Sequence, residues 1–329
     1  MIRYATVGTS PITESFICAA ELINDEMTLS AVYSRSAEKG GTLAARHGCG
    51  RVYTDLADLA KDRSIDAVYI ASPNSLHYEQ SLMMLEAGKH VICEKPAAVE
   101  PQEFEKLQSI ADKKGLIFTE ALMGRHIDTA QSAVRDALKR LGRISHARFD
   151  FSQRSSKYDS LMSGNHENIF DPHMATGAFM DLGIYCVYPA CDWFGVPKSV
   201  EAWCTKLFTG ADGEGGALLR YENFNAVLTY SKTGQSRLGS EIIGDGGTLI
   251  LPSISKLTDI CFIDNGGKKE MLTADTDKPG LMCFEARDFC RYINGKELER
   301  YKEDSRLALQ VSRVMKEIRE KSGIELGCE

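Results

Sequence analysis

The sequence lacks paired cysteines, an excess of basic residues and long apolar runs. Its 10 cysteines include no C-x-x-C pair, which disfavours a zinc or disulfide framework and is typical of reduced thiols in the cytosol. A net charge of −7 argues against nucleic acid as the main partner, because the surface has no cation excess to displace phosphate counterions. With no apolar stretch of membrane-spanning length and no leader pattern, the sequence predicts a cytoplasmic protein without membrane association.

The chain of 329 residues predicts two domains. Up to about residue 120, short β-branched segments alternate with amphipathic ones, the pattern of βαβ units in a doubly wound parallel sheet. Later segments such as RISHARFDFSQ and FNAVLTYSK alternate inward and outward residues between turns, which indicates a mostly antiparallel sheet. We therefore predict an α/β protein: a Rossmann domain over 1–122, then a second α+β domain with a large open sheet over 123–329.

The segment GTSPITESF follows the first predicted strand and contains a single glycine. Gly8 suits a sharp turn, whereas Ser10 and Thr13 occupy the places of the second and third glycines of a dinucleotide loop. Ser10 before Pro11 is a typical helix start, and the hydroxyls of Thr9, Ser10 and Thr13 are candidate phosphate donors. Two interpretations of this loop stay open: a pyrophosphate site at a helix N-terminus, or a strand-to-helix turn that binds nothing.

The segment YIASPNSLHYEQSLMMLEAGKHVICEKPAAV is more specific. A predicted strand ends in ASPN at residues 71–74, the following helix carries His77, and the next strand ends in EKP at residues 94–96. Parallel strands of such a sheet present ligands at their carboxyl ends, so these residues should share a crevice with Gly8. The segment resembles the Gfo/Idh/MocA family of oxidoreductases, relatives of glucose-fructose oxidoreductase and inositol dehydrogenase, in which the EKP motif contributes a lysine near the nicotinamide.

The segment GAFMDLGIYCVYPACDWFG extends this resemblance to the second half of the chain. Asp181 and Tyr185 are four residues apart, hence on one face of a helix, and Gly183 leaves room for a ligand or strand. Many relatives have histidine at the position of Tyr185, and the tyrosine is similar to the glucose-fructose oxidoreductase and dihydrodiol dehydrogenase branches. The resemblance implies that Lys95, Asp181 and Tyr185 are catalytic.

Oxidation of a secondary alcohol needs a base for the hydroxyl proton while hydride leaves for nicotinamide. Either Lys95 or Tyr185 fits this role. A cationic nicotinamide ring and partial desolvation should lower the pKa of Lys95, which in turn should lower that of Tyr185. Asp181 would orient the substrate hydroxyls or the lysine.

The second predicted strand ends in AVYSRSAEKG, with Ser34 and Arg35 where NAD-preferring folds have an acidic residue. No carboxylate there repels a 2′-phosphate, and the guanidinium can pair with it and stack on adenine. We predict NADP, with NAD as the alternative; the simpler interpretation of Arg35 is a solvated loop residue. The predicted cofactor-binding residues are Gly8, Thr9, Ser10, Ile12, Ser34, Arg35, Ala71, Ser72, Asn74, His77, Glu94 and Lys95.

The segment NHENIFDPHM contains His166, Glu167 and His173. Their spacing differs from H-E-x-x-H, and Pro172 opposes the continuous helix that would bring both histidines together. We therefore predict no metal site, and the resemblance implies a loop over the active site.

These observations together favour an NADP-preferring enzyme that transfers hydride between nicotinamide and a secondary alcohol or carbonyl of a sugar, polyol or diol. The resemblance further implies a homodimer or a dimer of dimers formed through the open sheet. The alternative is a nucleotide-dependent sensor that keeps the fold without chemistry.

Overall fold

The computed structural model describes residues 1–274 and 278–327, which divide into two compact units. Unit 1 contains residues 1–126 and 278–309, and unit 2 contains residues 127–274 and 310–327. The sequence-based division into 1–122 and 123–329 differs from this at residues 278–309, which group with unit 1. Cys328, which the sequence predicts to be a reduced thiol, lies outside the described residues.

Six strands form the centre of unit 1: β1 (Ile2–Val7), β2 (Met27–Tyr33), β3 (Val52–Tyr53), β4 (Ala67–Ile70), β5 (His90–Glu94) and β6 (Phe118–Ala121). All adjacent pairs are parallel, in the order β3-β2-β1-β4-β5-β6. This is the strand order of a Rossmann fold. The predicted doubly wound parallel sheet is confirmed.

Five helices connect these strands: α1 (Pro11–Glu21), α2 (Ala37–Arg46), α3 (Leu56–Lys61), α4 (His77–Glu86) and α5 (Pro101–Lys114). Two of these helix starts depend on residues that are neighbours in sequence. The Asp55 carboxylate accepts from the amide of Ala57 at 2.7 Å, and Pro101 opens α5 where its missing N–H costs nothing. In the core, the Phe16 ring of α1 stacks on Tyr69 of β4 with centroids 3.8 Å apart.

Unit 2 contains the helices α6 (Asp128–Leu141), α7 (Tyr158–Met162) and α8 (Ile184–Phe194). Its strands are β7 (Ile144–Ser152), β8 (Ser199–Lys206), β9 (Asp212–Arg220), β10 (Asn225–Ser231), β11 (Ser240–Gly244), β12 (Gly247–Leu251), β13 (Cys261–Asp264) and β14 (Lys269–Met271). They form one sheet in the order β14-β13-β12-β11-β7-β10-β9-β8. Within the described residues only the β7–β10 pair is parallel, so the prediction of a mostly antiparallel sheet is confirmed.

The inner face of this sheet packs against α8. Phe149 of β7 contacts Trp193 and Phe194, with ring centroids 5.8 Å and 6.1 Å apart. Leu228 and Tyr230 of β10 are buried on the same face. Alternate residues of β7 and β10 therefore face α8, as the period of two in the sequence predicts.

Two further helices end the described chain, α9 (Lys278–Ile293) and α10 (Leu298–Ser322). Buried contacts with carboxylates hold the unit 1 portion of these helices: His126 Nδ1 lies 2.9 Å from Asp288, and the Arg125 guanidinium lies 2.8 Å from Asp304. The later part of α10 belongs to unit 2, where the Lys321 ammonium donates to the carbonyl of Val200 at 2.7 Å. Across the part of the chain that the structure describes, no helix has both the length and the apolar character to cross a bilayer.

Candidate active site

Gly8 forms the turn between β1 and α1. Its φ angle is +116°, a conformation that glycine adopts without cost. A Cβ atom at this position would lie 2.8 Å from the carbonyl oxygen of Ala71. The Ala71 amide donates to the carbonyl of Val7 at 2.9 Å, so the ends of β1 and β4 leave no space for a side chain. The single glycine of the loop is therefore required by close backbone approach as well as by the turn.

Ser10 is the N-cap residue of α1, but its side chain makes no capping hydrogen bond to a described residue. Instead the hydroxyls of Ser10 and Thr13 share a hydrogen bond of 3.1 Å. Thr13 is fully buried whereas Ser10 is partly exposed. Of the two, the Ser10 hydroxyl is thus the one that a ligand can reach at the positive end of the helix dipole, with Thr13 fixing its rotamer.

Ser34 and Arg35 follow β2 at the same edge of the sheet. Ser34 is buried, its amide donates to the carbonyl of Tyr53 at 3.0 Å, and its Oγ accepts from the Ser36 amide at 3.2 Å. These bonds fix the turn that leads into α2. Arg35 itself is exposed, and the first carboxylate after β2 is Glu38. The end of β2 therefore presents a hydroxyl and a cation to a ligand.

His77 is buried at the start of α4, with 1% of its surface exposed. Its Nδ1 lies 2.8 Å from the carbonyl oxygen of Pro96, and its Nε2 lies 2.8 Å from that of Ser72. Burial, reinforced by the charge of Lys95, lowers the pKa of His77 despite these two carbonyls. The neutral ring donates to one carbonyl at a time and joins the loop after β4 to the EKP motif. The structure gives His77 a positioning role beneath the predicted crevice.

The residues around Gly8 fit a dinucleotide. The Ser72 hydroxyl is buried and makes no hydrogen bond to any residue in 1–274 or 278–327. Buried polar groups normally have a partner, so a ligand group at this edge would complete its bonding. Ser72 and Gly8 follow the neighbouring strands β4 and β1, where doubly wound sheets hold dinucleotides. The other predicted contacts are partly exposed: Thr9, Ile12, Asn74 and Lys95.

Glu94 is the last residue of β5, and Lys95 follows it. The Tyr69 hydroxyl donates to the Glu94 carboxylate at 2.5 Å, and Tyr69 is completely buried. Sequence reasoning did not single out Tyr69, because a tyrosine in an apolar strand indicates core packing. Lys95 is partly exposed and is followed by a cis peptide bond to Pro96.

In unit 2, residues Phe179–Gly183 form a π-helical turn that leads directly into α8. A Cβ on Gly183 would lie 2.5 Å from Cδ2 of Phe179 and 3.2 Å from Cδ1 of Tyr230. The space that the sequence predicts at Gly183 is therefore taken by the ring of Phe179 from the same turn and, next to it, by the ring of Tyr230 from β10. Such turns close i→i+5 hydrogen bonds and recur at functional sites. Asp181 lies in this π-turn and Tyr185 in the α-helix that follows, so the two residues do not share the single α-helix that the sequence predicts.

Asp212, at the start of β9, holds the beginning of this turn. Its Oδ2 accepts from the amide of Phe179 at 2.6 Å, and 1% of the residue is exposed. Burial raises the pKa of Asp212 to about 6, against the opposing effect of the Phe179 hydrogen bond. Gly177 makes this contact possible, because a Cβ there would collide with the Asp212 carboxylate.

Asp181 is bound by a lysine that the sequence analysis did not identify. The Lys232 ammonium donates to Asp181 Oδ2 at 2.5 Å; 2% of the lysine side chain is exposed, against 33% of the aspartate side chain. The available signal was the ending of FNAVLTYSK, where a lysine follows an alternating strand. An ionised carboxylate with a buried cation behind it can accept hydrogen bonds from a substrate at its exposed side.

Tyr185 lies in the first turn of α8 and is partly exposed. Its ring meets Phe151 of β7 edge-on, with centroids 5.4 Å apart and planes at 76°. This contact orients the phenol from the sheet side. Asp181 and Tyr185 are thus both presented by the π-turn and the start of α8.

The loop before the π-turn holds its histidines with separate partners. His166 Nε2 lies 3.1 Å from the Asp171 carboxylate, and His173 Nδ1 lies 3.1 Å from the carbonyl oxygen of Gly327. Glu167 forms an ion pair with Lys157 at 3.5 Å. His166, Glu167 and His173 therefore do not form one cluster in the structure.

Comparison with known proteins bears on both units. A family model described as an oxidoreductase family with an NAD-binding Rossmann fold matches residues 2–122. The GFO/IDH/MocA C-terminal domain model matches residues 129–250. The chain is 38% identical over 324 residues to scyllo-inositol 2-dehydrogenase (NADP(+)) IolU of Bacillus subtilis (strain 168), covering 98% of each chain. The chain belongs to the Gfo/Idh/MocA family of oxidoreductases.

Two more distant proteins show how far the likeness extends. Human trans-1,2-dihydrobenzene-1,2-diol dehydrogenase is 28% identical over 256 residues, covering 76% of this chain and 74% of that protein. The crystal structure of KijD10, a 3-ketoreductase from Actinomadura kijaniata, in complex with NADP and TDP-benzene, shares the fold with a TM-score of 0.84. It is 22% identical and covers 97% of both chains. The predicted family is confirmed, and the chain is an NAD(P)-dependent oxidoreductase that acts on CH–OH groups.

Proposed function

We propose that this Gfo/Idh/MocA protein is an NADP-preferring dehydrogenase of a polyol, sugar or related diol. The observation that carries the proposal is the presentation of Asp181 and Tyr185 by one π-turn and helix start, with Asp181 bound to the Lys232 ammonium at 2.5 Å. A carboxylate next to a phenol suits a substrate with neighbouring hydroxyl groups. The 38% identity to an enzyme named for scyllo-inositol supports the polyol class.

The preference for NADP is supported by the end of β2. Ser34 and the exposed Arg35 stand where a carboxylate would repel a 2′-phosphate. A guanidinium pairs with phosphate through two parallel hydrogen bonds and stacks on a purine. The pyrophosphate would lie at Gly8 and Ser10, with Ser72 as a further donor.

In the proposed reaction, bound NADP supplies or accepts the hydride. Tyr185 donates the proton in the direction of reduction and accepts it in the direction of oxidation, with Lys95 as the alternative proton-transfer group. Asp181 accepts a hydrogen bond from a substrate hydroxyl and fixes which carbon presents its hydrogen. Lys95 contributes a positive charge at the end of β5.

The test is an absorbance assay of NADP and NAD reduction with inositol isomers, aldoses and vicinal diols, with scyllo-inositol first. We expect turnover of at least one polyol, faster with NADP. Tyr185→Phe and Lys95→Ala should each lower kcat by about 100-fold or more, while Lys198→Met, an exposed lysine of unit 2, should match the wild type. Tight NADPH binding without turnover of any panel member would instead support the sensor.

We also propose a cytoplasmic homodimer, or a dimer of dimers, formed through the outer face of the unit 2 sheet. The strand register places Trp203, Leu218 and Val227 on the face opposite α8, and Trp203 is 49% exposed. These apolar side chains share the face with the Arg148–Glu241 and Arg220–Glu201 ion pairs, and an open sheet face of this mixed character favours a second copy in an isologous contact. Light scattering should give an even number of chains, and Trp203→Lys should release monomers; a wild-type monomer would contradict the proposal.

A further inference from the structure

Backbone hydrogen bonds fix the position of Lys232. It follows directly after β10, its amide donates to the carbonyl of Gly213 at 2.8 Å, and its carbonyl accepts from the amide of Ser155 at 2.9 Å. Two neighbouring segments therefore fix its Cα position. From there the side chain runs inward, with 2% of its surface exposed.

The buried ammonium contacts the Asp181 carboxylate directly and lies near Phe170 and Asp212. Its bond to Asp181 Oδ2 is 2.5 Å long, the centroid of the Phe170 ring is 5.9 Å away, and its charge acts on the carboxyl of Asp212. Burial of a lysine cation is costly unless it is paired. A lysine at this position is therefore consistent with a requirement for charge, since an apolar residue would fill the same space at less cost.

The ion pair is asymmetric, because the cation is buried while a third of the Asp181 side chain is exposed. Among the described residues, the accessible part of the pair is therefore the Asp181 side chain. We propose that Lys232 is a positioning residue for Asp181, which it keeps ionised and in one rotamer, so that Asp181 serves a substrate hydroxyl as a hydrogen-bond acceptor. This inference rests on the proposed function, in which Asp181 contacts the substrate.

A specificity follows from this arrangement. An ionised carboxylate has no proton to donate and accepts strongly from hydroxyl groups. Lys232 thereby selects substrates that have a free hydroxyl on the carbon next to the reacting carbon. For an analogue that lacks this neighbouring hydroxyl, kcat/KM should fall about 100-fold. Substrates that carry a carboxylate at that position would meet a like charge.

The experiment compares Lys232→Met, which removes the charge at nearly constant volume, with Lys232→Arg, which retains it. The substrate is the best polyol of the panel above, and the control is Lys198→Met. Among the described residues, the titratable groups that face the Asp181 turn are Lys232, which follows β10, Tyr230 from β10, Asp212 from β9 and Tyr185 from α8. The pH profile of kcat/KM is therefore also recorded for Asp181→Asn, which assigns the acidic limb to Asp181.

We expect Lys232→Met to raise KM at least 10-fold and to move the acidic limb to higher pH, because a carboxylate without its cation takes up a proton more readily. The affinity for NADPH, measured by fluorescence titration, should stay within twofold of the wild type. Lys232→Arg should retain the wild-type limb. In the Asp181→Asn background, Lys232→Met should add little further loss, since both changes remove the same interaction.

Additive losses in the double variant, or an acidic limb that Lys232→Met leaves unmoved, would overturn the proposal and leave Lys232 a structural residue. If Lys232→Met does not fold, the test rests on Lys232→Arg, which retains the charge. A displacement of the acidic limb of kcat/KM to higher pH in that variant would then overturn the proposal. Asp181→Asn with wild-type kcat/KM would refute the role of Asp181, and this proposal with it. Turnover that is intact in general but insensitive to the deoxy substitution would refute the positioning role and spare the proposed function.

Discussion

The hydroxyl of Tyr69 donates to the carboxylate of Glu94 across the β4–β5 pair at 2.5 Å. Tyr69 is completely buried and stacks on Phe16, so the position of Glu94 in the EKP motif depends on the core of unit 1. Tyr69→Phe keeps the stack and removes the donor. We expect a loss of about 1–3 kcal/mol in the free energy of unfolding and a several-fold weaker affinity for NADPH. Chemical denaturation and fluorescence titration measure the two effects, and an unchanged affinity would show that Glu94 is positioned without Tyr69.

Gly8→Ala should weaken NADPH binding at least 10-fold. The added methyl group meets the Ala71 carbonyl at 2.8 Å at a φ angle of +116°, so the turn must shift, at a cost of about 1–3 kcal/mol. Gly41→Ala is the matched control, because its Cβ would meet nothing within 4 Å and alanine favours the helix. Calorimetric titration checks the prediction; equal NADPH affinity in both variants would show that the loop tolerates the shift.

Arg35→Ala should reduce the affinity for NADPH by about 10-fold and leave that for NADH nearly unchanged, because the cofactors differ in the 2′-phosphate that the guanidinium would bind. Arg237→Ala removes an exposed arginine of unit 2 and serves as the control. The measurement is a pair of titrations at two salt concentrations, since screening weakens an exposed phosphate contact. A parallel loss for both cofactors would place Arg35 against the adenine instead.

We expect Asp212 to make the fold less stable at neutral pH than at acid pH. Its folded pKa is raised to about 6, so its contribution to stability is fully present below about pH 4 and is lost as the pH rises through 6, by about 3 kcal/mol at most. Asp212→Asn retains an oxygen for the Phe179 amide and removes the ionisation. Relative to the wild type, the variant should gain stability between pH 4 and 7 in urea unfolding. Parallel pH profiles of the two proteins would contradict this.

Features that depend on sequence neighbours were predictable from sequence. Pro101 starts α5 and Asp55 caps α3 because capping is decided within a turn of chain. The strand positions of unit 1 follow from the same local alternation of apolar segments. The EKP motif marks the end of β5 for the same reason.

Contacts between distant residues were not predictable. Lys232 meets Asp181 from 51 positions away, and Asp212 meets Phe179 from 33 positions away. Both contacts depend on the register of β9 and β10 against the π-turn, which one sequence does not specify. The grouping of residues 278–309 with unit 1 depends on charged partners such as Asp288, whose helical pattern alone indicates only a solvated face.

Because residues 278–309 belong to unit 1, the order of translation determines when unit 1 can complete its folding. His126 can contact Asp288 only after a further 162 residues have been translated, and Arg125 likewise depends on the later synthesis of Asp304. A nascent chain that stops after the β6 region therefore contains Arg125 and His126 without the carboxylates that they contact in the folded protein. The Rossmann half is made first, but it acquires the carboxylates of Asp288 and Asp304 only after every strand of the second sheet has been translated. Completion of both halves is thus tied to the last tenth of translation rather than proceeding one domain after the other.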